Sequence, residues 1–384
     1  MPRRRCSVAL VPALLLCAGS LACGDAGPSD AFASGTAATD AAADDGAAAD
    51  DGTPADETAG VLDVGQGTMG GVDPDSASGC DKVDFLFVVD NSGSMADEQQ
   101  ALIDSFPQFI TAIDERIGAS HDFQVMVVDV DAWVFGECPE ACNEAAVCDA
   151  NASCGVTEEC GFPCALRDLC EEGAFACNQT QPEACEDVLG AGVVHPRGRG
   201  ASATACDFAT GARYMDAGEP DLAGAFACAA KVGTGSSADT EQPMDAMIRA
   251  LGQDPAAAAC NAGFLRDDAI LVVTFITDED DDPTDSTGSP QGWFQAIADA
   301  KHGDDHAVVV LGLFGDNDEP DGICTPLSHD FATGAEAAPR LREFVEMWGP
   351  RGHVGSVCAE DYAPFFASAV DSIGQACEDF IPPG

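Results

Sequence analysis

The segment "DNSGS", which follows an apolar run, carries the residues whose types and spacing can do chemistry. It places the side-chain oxygens of Asp90, Ser92 and Ser94 at alternate positions, and Gly93 relieves the strain of a tight turn between them. One tight loop can therefore aim three oxygens at a single point. Carboxylate and hydroxyl oxygens are ligands for hard divalent cations such as Mg²⁺. The segment predicts the first loop of a cation site.

Two further residues stand where such a site would be completed. Thr240 opens the helical pattern "TEQPMDAMIRAL", and Asp278 follows the apolar run "AILVVTFIT". Ligands of open α/β sheets bind outside the carboxyl ends of the strands, which is where these residues are expected. Mg²⁺ takes about six oxygens and often retains water or a ligand oxygen. The sequence predicts a Mg²⁺ site, with Ca²⁺ or Mn²⁺ as alternatives, formed by Asp90, Ser92, Ser94, Thr240 and Asp278.

Several residues near this site have competing interpretations. Thr234 competes with Thr240 for the second loop, and Thr240 can also serve as a plain helix cap without any metal. The acidic run 280–282 is interpreted as a solvated loop rather than as ligands. Asp129 and Asp131, at the end of the second predicted strand, either line the same rim or merely end the strand.

The elements that must position these residues are strands alternating with helices. The predicted strands cover 83–89, 122–133, 269–278, 306–314 and 353–358, and the predicted helices cover 95–113, 240–251, 293–301, 339–348 and 362–377. This alternation indicates an α/β fold, Rossmann-like and doubly wound, with a mostly parallel central sheet flanked by helices. The predicted domain spans 80–380, and a cysteine-rich loop insertion over 134–230 interrupts it.

Cysteine usage predicts disulfide bonds within this domain. Nine of the 19 cysteines lie between 138 and 185, in a stretch without a regular apolar period. The competing interpretation is zinc, but the closely spaced CxxC pairs of zinc sites are missing. Sixteen cysteines lie between Cys80 and Cys377, and an even number in an exported chain implies up to eight disulfides.

The N-terminal segment predicts export. Arginines followed by a short apolar stretch indicate a signal peptide over 1–22, too short for a membrane span, and both the Sec and the twin-arginine routes remain open. The residues before Cys23 resemble the lipobox of bacterial lipoproteins. This resemblance implies lipid on Cys23 and a location at the outer membrane or cell surface. Residues 23–79 are rich in Ala, Asp and Gly and predict a disordered acidic tether.

The charge balance restricts the partners. The chain has 16 basic and 67 acidic residues, a formal net charge of -51. Such a surface repels phosphate backbones, so nucleic acid is excluded as a partner, and membrane contact is expected only through the N-terminal lipid. Divalent cations and basic ligands fit this charge.

The pattern as a whole resembles a known family. "DNSGS", then Thr240, then "TDED" are similar to the von Willebrand factor A domain with its metal-ion-dependent adhesion site, over about 80–133 and 230–377. The resemblance implies that Asp90, Ser92 and Ser94 form the first metal loop, Thr240 the second and Asp278 the third. It also implies that a carboxylate of a protein ligand takes the open coordination position. A departure is Glu279, where the family has Gly; the added charge favours calcium.

These observations predict a surface-anchored adhesion protein that binds a protein ligand through a divalent cation, and not an enzyme. One alternative is a structural envelope protein whose metal only stabilises the fold. A second alternative is a metal-dependent hydrolase, which needs a general base near the metal; the sequence offers surplus acids there but no histidine within the three loops.

Overall fold

The computed structural model describes most of the region from residue 81 onward. The described residues are 81–118, 122–131, 184–196, 200–202, 204–234, 241–328 and 333–383, all within the unit Met69–Gly384. Four of our predictions lie outside them: the signal peptide over 1–22 with its tether over 23–79, lipidation of Cys23, the first part of the insertion, and the role of Thr240.

The described residues form one six-stranded sheet. Its strands are β1 (Lys82–Val89), β2 (Asp122–Asp129), β3 (Met215–Asp216), β4 (Ile270–Ile276), β5 (Val308–Phe314) and β6 (Gly352–Ser356). They lie in the order β3-β2-β1-β4-β5-β6, and every neighbouring pair is parallel except β2 and β3. The predicted mostly parallel α/β sheet is confirmed. The strand order reverses between β1 and β4, which is the switch point where doubly wound sheets bind ligands.

Helices cover both faces of this sheet because successive strand side chains point to opposite faces. Phe85 and Phe87 of β1 pack in one apolar core, and Leu86 and Val88 pack in the other. The first core includes residues of α1 (Ala96–Ile117), α2 (Leu222–Ala230) and α7 (Ala363–Asp379). The second core includes residues of α3 (Pro243–Ile248), α5 (Pro290–Ala300) and α6 (Pro339–Glu346). Helix α4 (Pro255–Cys260) follows α3 along the chain. Among the described helices, none is long and apolar enough to cross a membrane.

The one acid inside β1 is neutralised within the fold. Asp84 is fully buried and accepts hydrogen bonds from the backbone N and from Nε of Arg266, both at 2.8 Å. Burial raises the pKa of Asp84 to about 6, although the Arg266 charge opposes the shift. The carboxylate is therefore ionised at neutral pH and paired with the guanidinium.

The last part of the predicted insertion belongs to the main domain. Strand β3 and helix α2 both lie within 134–230, so the prediction of loops alone is wrong for this part. Phe226 of α2 is buried and stacks on Phe106 of α1, with ring centroids 3.6 Å apart. The sequence of α2, "LAGAFACAA", has no polar positions, so it shows no helical period.

The predicted start of the second-loop helix at Thr240 is wrong, because α3 begins at Pro243 with Gln242 as its N-cap, and proline is favoured at the first helical position. The prediction of disulfides is confirmed for the described cysteines Cys185–Cys260, Cys206–Cys228 and Cys324–Cys358, and Cys377 is also disulfide-bonded.

Candidate metal centre

The candidate site lies at the carboxyl ends of two neighbouring strands. Asp90 directly follows β1, and Asp278 comes two residues after β4. The pairing of Val89 with Ile276 continues one step further, because the backbone N of Asp90 donates to the carbonyl of Ile276 at 3.1 Å. The sheet register therefore brings the two carboxylates together at the switch point.

The first loop folds back onto both acids. The Ser92 hydroxyl donates to Oδ1 of Asp278 at 3.0 Å, and its Oγ lies 3.3 Å from Oγ of Ser94. The backbone N of Ser92 donates to Oδ1 of Asp90 at 2.7 Å. Four of the five predicted ligands, Asp90, Ser92, Ser94 and Asp278, thus converge, and the fifth, Thr240, is outside the described residues.

The chemistry of these groups fits a hard cation. Asp278 is fully buried, and its Oδ2 has no hydrogen-bond donor. Leaving a buried carboxylate oxygen without a partner is unfavourable, so the group needs a proton or a cation. In the described part of the chain, no three His, Cys, Asp or Glu side chains come together to hold a metal ion. A cation here therefore depends on two carboxylates supplemented by hydroxyl oxygens.

Without a cation, the ionised forms of Asp90 and Asp278 are unfavourable, and their pKa values are raised. Burial raises the pKa of Asp90 to about 8, and the charge of Asp278 adds to the shift, whereas hydrogen bonds from Ser92 and Thr277 oppose it. Burial also raises the pKa of Asp278, and the hydroxyls of Ser94 and Ser92 oppose that shift. A nearby divalent cation favours the ionised carboxylates and reverses both shifts.

Thr277 supports the site, although it is not among the residues predicted from the sequence. Its hydroxyl is buried and donates to Oδ2 of Asp90 at 2.7 Å. The backbone N of Glu279 lies 3.2 Å from the same hydroxyl. Groups that orient a ligand in this way contribute to metal affinity without touching the metal. The available signal was a hydroxyl directly between an apolar strand and the candidate ligand Asp278.

Gln99 links two of the loops and was also missed. This side chain on α1 is 1% exposed. Its Nε2 donates to the carbonyls of Asp90 at 2.8 Å and Gly233 at 2.9 Å, and its Oε1 accepts from the backbone N of Gly233 at 3.1 Å. Thr234, the alternative ligand of the second loop, follows Gly233 and is buried. Gln99 therefore fixes the chain at Thr234 relative to the first loop.

Two carboxylates of the acidic run after Asp278 accept hydrogen bonds from the N-termini of helices instead of facing solvent. Asp281 is fully buried and accepts from the backbone N of Met244 at 3.0 Å, at the start of α3. Asp280 accepts from the backbone N of Arg340 at 3.2 Å, at the start of α6. Carboxylates stabilise the free N–H groups of helix N-termini. The prediction of a solvated loop is thus wrong for Asp280 and Asp281, and only Asp282 is exposed.

The end of β2 lies on the rim of the same site. Asp131 is buried, and its Oδ2 is 3.4 Å from Nδ2 of Asn91, the residue after Asp90. Burial raises the pKa of Asp129 well above its usual range, and the charge of Asp131 adds to this. Of the two interpretations in the sequence analysis, the rim position is the one that the structure favours for Asp131.

Four glutamates surround the candidate ligands. Burial is the main cause that raises their pKa values, to about 7 for Glu98 and Glu279 and to about 10 for Glu241, and burial also raises the pKa of Glu336. The charge of Asp278 contributes to all four shifts, so all four lie near it. We refer to Glu98, Glu241, Glu279 and Glu336 as the rim carboxylates.

Comparisons of the chain with protein-family models, with curated proteins and with solved structures found no match.

Proposed function

We propose that this chain is a surface-anchored binding protein with a von Willebrand factor A arrangement, and that it engages a protein ligand through a divalent cation. The ligands proposed for Mg²⁺, or alternatively Ca²⁺ or Mn²⁺, are Asp90, Ser92, Ser94, Asp278 and a threonine of the second loop, Thr240 or Thr234. The mostly parallel sheet, with these residues after neighbouring strands, supports the proposal.

One observation carries the proposal most strongly. Asp278 is fully buried, one of its oxygens accepts from Ser92, and the other has no donor. A second buried acid, Asp90, lies close enough to Asp278 that the charge of Asp278 raises the pKa of Asp90 further. Two buried carboxylates that repel each other are stabilised by a shared cation.

Binding fits these groups better than catalysis does. A cation held mainly by neutral hydroxyls remains electrophilic, so an oxygen ligand from a partner gains by binding it. A hydrolase needs a general base within reach of the reacting water. In the described part of the chain, none of the hydrogen bonds made by Asp90, Ser92 or Asp278 involves histidine.

The N-terminal features complete the proposal. Lipid on Cys23 would hold the domain at the bacterial outer membrane or cell surface, with 23–79 as a tether. The membrane is then reached only through the lipid, and the formal net charge of -51 disfavours nucleic acid. The proposed partner is a protein that offers a carboxylate.

The test is thermal unfolding of the full chain with a chelator and then with Mg²⁺, Ca²⁺ or Mn²⁺. A cation at 100 times its Kd stabilises the folded state by about 2.7 kcal/mol. We expect this gain in wild type and its loss in Asp278→Asn. Asp282→Asn is the matched control, because Asp282 is exposed in the same loop, and it should retain the gain. No gain with any cation would refute the metal site.

A further inference from the structure

We infer that Asp281 is a positioning residue of the candidate metal centre, which fixes the loop that carries Asp278 against the start of α3. The role is one of geometry, because Asp281 is not one of the proposed ligands. The inference rests on the proposed function, because it assumes that a cation binds at Asp278. It adds a residue that sets the spacing of the ligands and, through this spacing, the preference between cations.

The carboxylate of Asp281 joins two segments of the chain inside the domain. Asp281 is fully buried, and its Oδ2 accepts from the backbone N of Met244 at 3.0 Å, at the start of α3. Its Oδ1 accepts from the backbone N of Ser286 at 3.0 Å, which closes the loop after Asp278 on itself. The guanidinium of Arg340 lies 3.8 Å from the same oxygen. Both carboxylate oxygens are therefore used, one within the loop and one on the helix.

Two more contacts connect this loop with α3. The backbone N of Asp245 donates to Oγ of Ser286 at 3.0 Å, and the hydroxyl of Thr287 donates to Oδ1 of Asp245 at 2.8 Å. Asp245 and Ser286 are both buried. The backbone N of Gln242, the N-cap of α3, donates to the carbonyl of Val130 at 3.1 Å, directly after β2. The start of α3 is therefore fixed relative to both the loop after β4 and the end of β2.

The part of the loop next to Asp278 is fixed as well. The carbonyl of Asp278 accepts from the backbone N of Glu336 at 2.7 Å. Asp280 accepts from the backbone N of Arg340 at 3.2 Å, at the start of α6. Asp280 and Asp281 thus bind the first turns of two helices that pack in the same apolar core. The position of the Asp278 carboxylate is therefore set by these helices as well as by β4.

Apolar packing already holds both helices on the sheet. Met244 of α3 and Phe344 of α6 are fully buried in the second core. Burying a carboxylate costs free energy that an apolar side chain does not cost, whereas hydrogen bonds to a buried polar group select one geometry. The contribution of Asp281 is therefore a defined position for the loop next to the candidate cation.

Mg²⁺ and Ca²⁺ differ in how strongly they depend on such a position. Mg²⁺ requires a nearly octahedral arrangement of oxygens, whereas Ca²⁺ accepts a larger and more variable set. Oδ1 of Asp278 accepts from Ser92, and Oδ2 has no donor, so Asp278 offers the cation one oxygen in one direction. A loop that shifts would therefore weaken the binding of Mg²⁺ more than the binding of Ca²⁺.

The test is isothermal titration calorimetry of the full chain with Mg²⁺ and, separately, with Ca²⁺. Asp281→Asn keeps the size of the side chain but offers one carbonyl oxygen to the two backbone N–H groups of Met244 and Ser286. We expect it to weaken Mg²⁺ binding by about tenfold and Ca²⁺ binding by about twofold, because the ligand geometry is relaxed. Asp282→Asn, an exposed change one residue further along, should leave both affinities unchanged.

A milder pair of variants separates positioning from stability. Ser286→Ala removes the hydroxyl that accepts from Asp245 and leaves Asp281 in place, so it should shift the preference in the same direction by about twofold. Ser289→Ala removes a hydroxyl that accepts from Gly292 at the start of α5. Loss of such a helix cap lowers stability, but the preference between Mg²⁺ and Ca²⁺ should remain that of wild type.

An unchanged ratio of the two dissociation constants in Asp281→Asn and Ser286→Ala would overturn the inference, and so would an equal shift in Ser289→Ala. If Asp281→Asn does not fold, the comparison of Ser286→Ala with Ser289→Ala gives the answer alone. The proposed function fails separately, if the wild-type chain binds neither cation or if Asp278→Asn binds both as tightly as wild type.

Discussion

The hydroxyl of Ser92 donates to Oδ1 of Asp278 at 3.0 Å, although 186 residues separate the two. This contact joins the loop after β1 to the loop after β4 at the place where the strand order reverses. It also leaves the second oxygen of Asp278 without a donor. The geometry of one hydroxyl and one carboxylate therefore connects the topology of the sheet with the proposed cation site.

The hydroxyl of Thr277 should contribute to metal affinity although Thr277 is not proposed as a ligand. Because it donates to Oδ2 of Asp90 at 2.7 Å, Thr277→Val should lower Mg²⁺ affinity by about 10- to 100-fold. Isothermal titration calorimetry of the full chain measures this. Thr274→Val is the control, because Thr274 is equally buried in β4 and its hydroxyl has no partner. Similar affinities for the two variants would contradict the supporting role of Thr277.

The metal-free protein should lose stability as the pH rises. Asp90 titrates at 3.8 when unfolded and at about 8 when folded, so between these values the folded state holds a proton that the unfolded state has released. The stability that this proton gives is complete below pH 4 and is lost by pH 8. Glu98 and Glu279, with pKa values of about 7, act in the same direction.

The expected slope is about 1 kcal/mol per pH unit for Asp90, and it should disappear when Mg²⁺ replaces the proton. Thermal unfolding at pH 5, 6.5 and 8, with chelator and with Mg²⁺, tests both statements. Asp90→Asn should reduce the slope of the chelator curve to the part that Glu98 and Glu279 contribute, whereas Asp282→Asn should leave it unchanged. A metal-free protein that is more stable at pH 8 than at pH 5 would show that the buried acids do not govern this range.

Gln99 should be important for stability because its side chain satisfies three buried backbone groups, one of Asp90 and two of Gly233. Gln99→Leu leaves the carbonyl of Asp90 and both backbone groups of Gly233 without their partner, and a buried unsatisfied group costs about 1–3 kcal/mol. Chemical denaturation should show a loss of about 3 kcal/mol. The neighbouring Gln100 is exposed and its side chain donates to the equally accessible Asp104 one turn away, so Gln100→Leu should change stability by less than about 0.5 kcal/mol. Equal losses of stability in Gln99→Leu and Gln100→Leu would contradict the linking role of Gln99.

Local sequence patterns predicted the strands and the residues that follow them. The apolar runs that became β1 and β4 are buried on both faces, and such runs are readable without knowledge of their neighbours. The rule that ligands lie beyond the strand ends then places Asp90 and Asp278 together. The register that completes the site, with Val89 opposite Ile276, follows from the parallel pairing of these two strands.

Residues whose role depends on distant partners were not predictable in this way. The sequence around Gln99 shows only a polar residue on a helix, because its partner Gly233 is distant along the chain. The acidic run after Asp278 looks solvated in sequence, but two helix starts converge on Asp280 and Asp281. Helix α2 lacks the polar face that makes a surface helix recognisable, although only Phe226, Ala229 and Ala230 of this helix are buried in the domain.

The buried ion pair inside β1 gives the sharpest stability prediction. Asp84→Ala removes the buried partner of the Arg266 guanidinium, which is 14% exposed and keeps its ion pair with the more exposed Asp122 at 2.9 Å. Removing one partner of a buried pair costs about 3–5 kcal/mol when the remaining charge is uncompensated, so we expect a loss of about 3 kcal/mol, measured by chemical denaturation. Asp268→Ala is the control, because Asp268 pairs with Lys82 at a position where both side chains are partly exposed, and such pairs contribute about 0–1 kcal/mol. If both variants lost the same stability, burial would not strengthen the ion pair of Asp84. The stability of β1 would then come from its apolar packing.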